Sequence, residues 1–330
     1  MKKTVLITGI AGLIGSNFSD WIIKNKKNTN IIGIDDLSGG YIENIDKSIE
    51  FHKLNLVDDD IEYLFKKNKI EIIFHFAAYA AEGLSPFIRV FNYNNNLLAT
   101  AKLINNAIKY KIKRFVFTSS MATYGEGNVP FSEEDELKPV DPYGIAKLAC
   151  EFDLKVAYDQ HGLEYCIIKP HNVYGPKQNI WDKYRNVLGI WMLQNLNNQP
   201  ITIYGDGSQR RAFSYIEDCL EPLWNASEKK EAINQIVNLG GSKNISLNEV
   251  ADILLEVMGY GEKIYLEKRH EVKNAWSTHE KSERILGYNE KYTLSKGLNE
   301  MHNWAIKQPQ RKQFKWENYE IIDNIYSYWK

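Results

Sequence analysis

Three regularly spaced glycines near the start of the chain limit most strongly what the chain can fold into. The apolar run VLI at residues 5–7 has the character of a buried strand, and Gly9, Gly12 and Gly15 follow it before an amphipathic segment. In such a strand–turn–helix unit the first glycine allows a tight turn, the second lets the backbone approach a diphosphate, and the third lets the helix pack closely on the sheet. The spacing therefore predicts a turn that binds a dinucleotide.

A pair of acids after the next apolar run supports this prediction. Residues 31–34 read as a second strand, and Asp35 and Asp36 follow it directly. An acid about 20 residues beyond the glycines is placed to bind the 2′-hydroxyl of a ribose. Because a carboxylate there would repel a 2′-phosphate, the sequence favours NAD over NADP. The alternative is that the two acids merely open a loop.

The totals are those of an ordinary globular enzyme. The 330 residues suffice for one large or two moderate domains, and a net charge of −1 creates no field that would attract nucleic acid or an acidic membrane. Cys150, Cys166 and Cys219 lie far apart without metal-ligand spacing, which indicates free thiols in a reducing compartment. No stretch approaches the roughly 20 apolar residues of a membrane span. We therefore expect a cytoplasmic protein that binds no metal, nucleic acid or membrane.

Strands and helices alternate after the first helix, which predicts a parallel sheet covered on both faces. The predicted strands cover residues 51–56, 70–77, 115–118 and 164–169, and the predicted helices cover 58–67, 86–110 and 143–159. His75 within its apolar strand is expected to be a satisfied core residue. Since ligands bind beyond the carboxyl ends of such strands, Thr8, Ala77 and Ser120 are expected around one crevice. The apolar side chains of residues 320–329 recur at helical spacing and are expected to pack against the body.

A tyrosine and a lysine near the start of one helix have the chemistry of a general base. Tyr143 and Lys147 are four residues apart and share a helix face. A free tyrosine has a pKa near ~10, and a nearby ammonium together with a positive nicotinamide ring would lower it. Ser120 could hydrogen-bond the same substrate hydroxyl. The pair alone arises by chance in many helices, but chance explains poorly a set that also includes Ser120 and the glycine turn.

These pieces, in this order, resemble the extended short-chain dehydrogenases/reductases of the nucleotide-sugar epimerase/dehydratase family over nearly the whole chain. The matching stretches are TGIAGLIG (8–15), the acids at 35–36, HFAA (75–78), TSSMATYG (118–125), YGIAK (143–147), PHNVYGP (170–176) and IYGDGSQRRAF (203–213). The last two are the more specific. The resemblance implies an α/β protein with a doubly wound parallel-sheet Rossmann domain over residues 1–175, a return segment at about 212–240, and a smaller α/β nucleotide-sugar domain over 176–330.

The resemblance also implies roles for individual residues. Ser120, Tyr143 and Lys147 would be catalytic. NAD would be bound by Gly9, Gly12, Leu13, Ile14, Gly15, Asp35, Asp36, Asn55, Leu56, Phe76, Ala77, Ala78, Tyr143, Lys147 and Pro170. The nucleotide sugar would contact Ser120, Asn172, Arg211 and Arg269, with the last two holding its phosphates. Glu82, Ser85 and Arg185 are candidate sugar contacts, with a surface or packing role as the alternative for each. A homodimer through the helices that begin near residues 86 and 143 is implied as well.

The residues after Ser120 discriminate between the reactions of this family. A 4,6-dehydratase carries an Asp-Glu pair there, whereas this chain has Met121 and Ala122, which cannot transfer protons. A 4-epimerase needs no further group, so we expect an NAD-dependent enzyme that inverts C4 of a UDP-hexose. The alternatives are a nucleotide-sugar dehydrogenase, a decarboxylase or an epimerase of another carbon, and, in a different class, a non-catalytic NAD sensor or assembly protein.

Several positions depart from the commonest members and bear on the substrate. Ala80 replaces a lysine and Ala212 an acid. Ala275 falls where a bulky side chain narrows the sugar pocket, and a small residue would admit a larger group on C2. Arg89 and Tyr174 are further candidate sugar contacts, with a packing or surface role as the alternative.

Overall fold

The computed structural model describes residues 2–329, and a seven-stranded parallel sheet lies at its centre. The strands are β1 (Lys3–Thr8), β2 (Thr29–Asp35), β3 (Glu50–Lys53), β4 (Ile72–His75), β5 (Arg114–Thr118), β6 (Tyr165–Pro170), β7 (Val173–Tyr174), β8 (Ile201–Tyr204), β9 (Arg210–Arg211), β10 (Ser214–Tyr215), β11 (Gln235–Leu239), β12 (Ile245–Ser246), β13 (Lys263–Leu266) and β14 (Asn274–Ala275). The sheet order is β11-β6-β5-β4-β1-β2-β3. The predicted α/β class and parallel sheet are thus confirmed.

Helices cover both faces of this sheet. They are α1 (Leu13–Asn25), α2 (Glu62–Lys67), α3 (Arg89–Tyr93), α4 (Ala99–Lys109), α5 (Pro142–His161), α6 (Val187–Leu196), α7 (Ile216–Glu228), α8 (Leu247–Met258), α9 (Glu280–Leu286) and α10 (Leu294–Ala305). Alternate residues of β1 serve opposite faces: Val5 and Ile7 belong to the core with α1 and α7, and Leu6 belongs to the core with α4 and α5. No helix within residues 2–329 has the length and apolar character to cross a membrane.

The chain leaves the central sheet after β6 and comes back to it. β11 pairs in parallel with β6 at the sheet edge, and α7 packs on α1. The smaller lobe contains the sheet β12-β9-β14, the pair β13-β8 and the helices α6, α8 and α10. The division into one domain over residues 1–175 and another over residues 176–330 stays a prediction.

Several predicted elements begin or end at different residues, and two of them show the physical reason. The strand predicted over 51–56 ends at Lys53, because the Asn55 side chain accepts a hydrogen bond from the Val57 N–H at 2.7 Å and turns the chain. The helix predicted over 86–110 is interrupted by a π turn at Asn94–Leu98. There the buried Asn96 bonds to both backbone groups of Tyr79 instead of facing solvent.

The C-terminal tail packs against the body without forming an α-helix. Ile325 and Trp329 are buried, as predicted, while Ile322 is 69% exposed. The tail is fixed by Glu320, whose carboxylate accepts hydrogen bonds from the backbone N–H groups of Val90 and Phe91 at 2.8 and 2.9 Å. These contacts with the start of α3 hold the tail against the body, and a short 3₁₀ turn follows at Ser327–Trp329.

Candidate active site

A cleft of about 710 Å³ opens at the carboxyl ends of the sheet strands and is closed on its other side by the smaller lobe. Almost all of the predicted site residues line it. They are Gly9, Gly12, Leu13, Ile14, Gly15, Asp35, Asp36, Asn55, Leu56, Phe76, Ala77, Ala78, Glu82, Ser120, Tyr143, Lys147, Pro170, Asn172, Arg185, Arg211 and Arg269. The fold thus brings residues from the whole length of the chain to one cavity.

The glycine turn is packed too tightly for any other side chain. Gly9 has φ +71°, and a Cβ there would lie 2.6 Å from the Ala77 backbone nitrogen. A Cβ on Gly15 would lie 2.2 Å from the Gly9 carbonyl oxygen. The N-cap of α1 is Gly12, which offers no side chain to the first N–H groups of the helix. This arrangement fits the diphosphate of a dinucleotide, which binds such uncapped N–H groups.

The two acids at the end of β2 each accept hydrogen bonds within the protein and also line the cleft. The Asp35 carboxylate accepts hydrogen bonds from the N–H groups of Ala11 (3.0 Å) and Leu37 (2.8 Å), and burial raises its pKa. Asp36 accepts from the Ser38 N–H at 2.8 Å and from the Asn55 side-chain amide at 3.2 Å. Both acids shape the loop, as the alternative interpretation holds, and both remain available at the wall where a ribose would bind.

The candidate catalytic residues meet at the start of α5. Asp141 is the N-cap of this helix and accepts a hydrogen bond from the Gly144 N–H at 2.9 Å. The Lys147 Nζ lies 5.8 Å from the Tyr143 ring centroid and donates to the Thr118 carbonyl at 2.8 Å. Ser120 follows β5 directly and lines the same part of the cleft.

The pKa of Tyr143 is shifted in the direction opposite to the one that the sequence predicts. Burial raises the pKa of Tyr143, the Glu82 carboxylate raises it further, and the Ser120 hydroxyl acts in the opposite direction. Burial also lowers the pKa of Lys147 to about 8, so this amine keeps most of its charge at neutral pH. The protein alone raises the pKa of the Tyr143 phenol. A pKa low enough for a general base would therefore require a positive group bound beside Tyr143.

A buried ion pair between Glu151 and Lys169, which sequence reasoning missed, lies next to the catalytic part of α5. The Glu151 carboxylate lies one helical turn beyond Lys147 and 3.3 Å from the Lys169 Nζ, and both side chains are fully enclosed. Ser119, the neighbour of Ser120, donates a hydrogen bond to Glu151. The ammonium also lies 4.2 Å from the Tyr124 ring centroid. No local spacing in the sequence indicates this pair, because Glu151 lies on α5 and Lys169 on β6.

Removing one partner of this pair should destabilise the protein strongly. We expect Lys169→Met to lower the free energy of unfolding by about 3–5 kcal/mol, because it leaves the Glu151 charge buried without a cation. The double variant Glu151→Leu/Lys169→Met should cost less than the single one, since apolar groups of similar volume often replace a buried pair at little cost. Urea unfolding followed by circular dichroism measures both. A double variant less stable than Lys169→Met alone would contradict the pairing.

Two arginines, Arg211 on β9 and Arg269 in the loop after β13, lie together at the far end of the cleft. Arg211 and Arg269 each approach the Glu271 carboxylate at 3.6 Å, and the Arg269 guanidinium lies 4.3 Å from the Tyr204 ring centroid. Register places Arg211 on β9 opposite Ala275 on β14. Two fixed guanidinium groups have the charge and geometry to bind a diphosphate.

Among the predicted substrate contacts, the structure does not bring Ser85 to the cleft. Its side chain is 1% exposed and does not line the cleft, because its hydroxyl donates to the Glu82 carbonyl at 2.8 Å and accepts from the Tyr143 N–H at 3.2 Å. Tyr174 is also buried away from the cleft, where its hydroxyl bonds to the Leu294 carbonyl. Arg185 does face the cleft, and it pairs with Asp182 at 2.9 Å.

The tail contributes cleft residues that sequence reasoning missed. Asn324 and Tyr326 line the cavity, and the Tyr326 hydroxyl accepts a hydrogen bond from the His270 N–H at 2.9 Å. Tyr328 packs on Tyr204 with ring centroids 4.5 Å apart. The tail thereby supports the loop that carries Arg269. Its density of aromatic residues was the only hint, and it predicted packing without a location.

Known proteins share both the sequence and the fold of this chain. A putative UDP-glucose 4-epimerase from Methanocaldococcus jannaschii is 34% identical over 304 residues, which cover 91% of this chain and 97% of that protein. The crystal structure of a UDP-glucose 4-epimerase from Thermotoga maritima with UDP-glucose matches with a TM-score of 0.87 and 30% identity, covering 92% of this chain and 99% of that one. A UDP-glucuronic acid 4-epimerase from Bacillus cereus, solved with UDP-glucuronic acid and NAD, matches with a TM-score of 0.85 and 27% identity, covering 92% and 99%.

A family model leads to the same assignment. The model of the NAD dependent epimerase/dehydratase family matches residues 5–240, which include the glycine turn, Ser120, Tyr143 and Lys147. The cofactor prediction of NAD is thereby confirmed. The sequence resemblance, the parallel sheet with its cleft and these matches agree, and the protein belongs to the NAD-dependent epimerase/dehydratase family.

Proposed function

We propose that the protein is an NAD-dependent nucleotide-sugar epimerase that inverts C4 of a UDP-hexose through a transient 4-keto sugar. The observation that carries this proposal is the placement of Ser120, Tyr143 and Lys147 between the glycine turn and the Arg211–Arg269 pair in one cleft. The glycine turn fits the dinucleotide and the arginines fit a sugar diphosphate. The residues between them are those that would move a proton on the sugar.

Each catalytic residue has one task in this proposal. Tyr143 takes the proton of the C4 hydroxyl as a phenolate and returns it at the end of the reaction. Ser120 hydrogen-bonds the same hydroxyl, and the Lys147 ammonium favours the phenolate by its charge. When bound, NAD would supply the group that takes up the C4 hydride and gives it back, so no oxidant would be consumed. Burial raises the pKa of Tyr143, and a positive charge bound beside the phenol would lower it.

Inversion also requires the keto sugar to turn over while its diphosphate stays in place. Arg211 and Arg269 would hold the diphosphate at the far end of the cleft. The small side chain of Ala275 lines the cavity and leaves room for the ring and for a group on C2. Met121 and Ala122 line the cavity as well, and neither can supply the acid and base of a dehydration.

A substrate panel tests this proposal. The purified protein is incubated without added NAD with UDP-glucose, UDP-galactose, UDP-N-acetylglucosamine, GDP-mannose and dTDP-glucose, and each reaction is followed by proton NMR. We expect at least one UDP-hexose to become a mixture of its two C4 epimers, and we expect acid denaturation to release NAD. Accumulation of reduced nicotinamide in proportion to product would instead identify a dehydrogenase. A protein that changes no sugar even after NAD is added would contradict the proposal.

We also propose a homodimer, because α5 and the turn before α4 expose apolar side chains to solvent. Phe152 and Val156 are 54% and 56% exposed, and Ile145 lies on the same face of α5, with Leu98 on the neighbouring segment. A second copy of this face would cover these side chains in a four-helix contact. Sedimentation should give a dimer for the protein and a monomer for Phe152→Asp. A monomeric wild-type protein at micromolar concentration would rule the dimer out.

A cytoplasmic location is proposed from the cysteines. Cys150, Cys166 and Cys219 are free and buried. Free thiols are usual in reducing compartments.

A further inference from the structure

Two carboxyl groups face the part of the cleft that lies beside the catalytic tyrosine. Glu82 and Asp141 both line the cavity, and the buried hydroxyl of Ser85 lies between the Glu82 backbone and the Asp141 carboxylate. This hydroxyl donates to the Glu82 backbone carbonyl, accepts from the Tyr143 N–H at 3.2 Å and lies 3.5 Å from the Asp141 carboxylate. The two acids and the tyrosine therefore border one subsite. In the proposed function this subsite holds the sugar ring.

The two acids differ in what they bind within the protein. The Asp141 carboxylate caps α5 through the Gly144 N–H. Within residues 2–329 the Glu82 carboxylate accepts no hydrogen bond and has no cation within 4 Å, so it is available to a ligand. Desolvation within the cleft and the nearby Asp141 charge raise its pKa to about 7, and the charges of Arg211 and Arg269 act in the opposite direction.

The cations around this subsite are already engaged. Arg211 and Arg269 both face Glu271, and the diphosphate of a nucleotide sugar would occupy them further. Arg185 is paired with Asp182, and the Lys147 ammonium donates to the Thr118 carbonyl on the nicotinamide side. Within residues 2–329, His270 is the remaining basic side chain of the cleft and lies near Asp141, so a third carboxylate, carried by the sugar itself, would meet two acids and no lysine or arginine without a protein partner. Such like-charge contacts cost several kcal/mol in a binding site.

We propose that Glu82 makes this subsite selective for hexoses with uncharged substituents and excludes hexuronic acids. The inference rests on the proposed function, since it concerns the sugar of the same nucleotide-sugar site. The Glu82 carboxyl group would accept a hydrogen bond from a sugar hydroxyl or amide N–H. It would repel a C6 carboxylate, with Asp141 adding to the repulsion. The charge of the sugar substituents, rather than their size, then limits the substrate range.

The ratio of kcat/KM for two substrates tests the proposal. At about pH 9, two pH units above the pKa of Glu82 at about 7, the wild-type enzyme should prefer its best neutral UDP-hexose to UDP-glucuronate by about 100-fold, because protonating Glu82 to relieve the repulsion costs a factor of ten for each of these units. Glu82→Gln keeps the shape of the side chain and removes its charge. It should reduce this preference by about tenfold or more. The matched control Glu300→Gln makes the same change on an exposed face of α10 and should leave the ratio unchanged.

This ratio separates specificity from damage to the fold, because a loss of active protein lowers both values equally. A wild-type enzyme that inverts UDP-glucuronate as fast as a neutral sugar, or a Glu82→Gln variant with the wild-type ratio, would overturn the inference and leave the proposed function standing. If no nucleotide sugar is inverted, the proposed function fails. Calorimetry with UDP-glucose and UDP-glucuronate on the NAD-loaded protein would then still decide whether the cleft rejects the charged sugar.

Discussion

Tyr143→Phe is expected to lower kcat by roughly 10²- to 10⁴-fold, the range for loss of a general acid–base group. The variant keeps the aromatic ring, which is buried at the start of α5, and removes only the hydroxyl that would exchange a proton with the sugar. The thermal midpoint and the amount of NAD released on denaturation should therefore stay close to wild type. Progress curves of C4 inversion by NMR measure the rate.

The matched control is Tyr124→Phe, which makes the same change at another buried tyrosine. The Tyr124 hydroxyl donates to the Asn238 side-chain oxygen at 2.9 Å and does not line the cleft. Its loss should cost about 1 kcal/mol of stability, the usual worth of one hydrogen bond, and leave kcat nearly unchanged. If Tyr143→Phe also turned over at a near-normal rate, Tyr143 would have no part in proton transfer.

Gly9→Ala is expected to abolish the binding of NAD. The new Cβ would lie 2.6 Å from the Ala77 nitrogen and 2.8 Å from its Cα, so the turn and the loop after β4 would have to move apart. Both segments line the cofactor part of the cleft. Because a displacement of about 1 Å in a site can cost 10²-fold in rate, we expect at least that loss of turnover. Released NAD after denaturation gives the occupancy directly.

The control Gly162→Ala separates the effect of backbone strain from the effect of the steric clash with Ala77. Gly162 has φ +73°, nearly the same as Gly9 at +71°, but nothing lies within 4 Å of a Cβ built there. An alanine should pay the cost of the left-handed conformation at both sites, about 1–2 kcal/mol. Only Gly9→Ala should also lose NAD. Equal NAD contents in the two variants would show that the close packing at Gly9 does not shape the cofactor site.

Features set by local sequence could be predicted, and they include most of the site. The glycine spacing, the acids after β2 and the Tyr143–Lys147 pair are each determined by a few adjacent residues. The order of strands then fixes where these pieces meet, because parallel strands bring their carboxyl ends to one edge. His75 illustrates the same reasoning: its ring nitrogens bond to Thr8 and Thr100 in the core, as predicted.

Features set by pairing across long stretches of chain could not be predicted. Lys169 meets Glu151, and Tyr326 meets His270, only because the fold brings distant elements together. Ser85 shows the opposite error, since its polar side chain suggested a ligand contact while its hydroxyl is used inside the wall of the cleft. The shift of the Tyr143 pKa belongs here too, because burial depends on the assembled site.

The central claim is that the hydride removed from C4 in the oxidation is the same one that returns to C4 in the reduction. The measurement is the conversion of UDP-glucose that carries deuterium on C4, with no added nucleotide, by the enzyme in ordinary water. The account predicts that UDP-galactose forms with the deuterium still on C4, because the abstracted hydride returns to the same sugar. Replacement of the deuterium by solvent hydrogen would contradict it, since that result requires a carbon acid in place of a bound hydride acceptor.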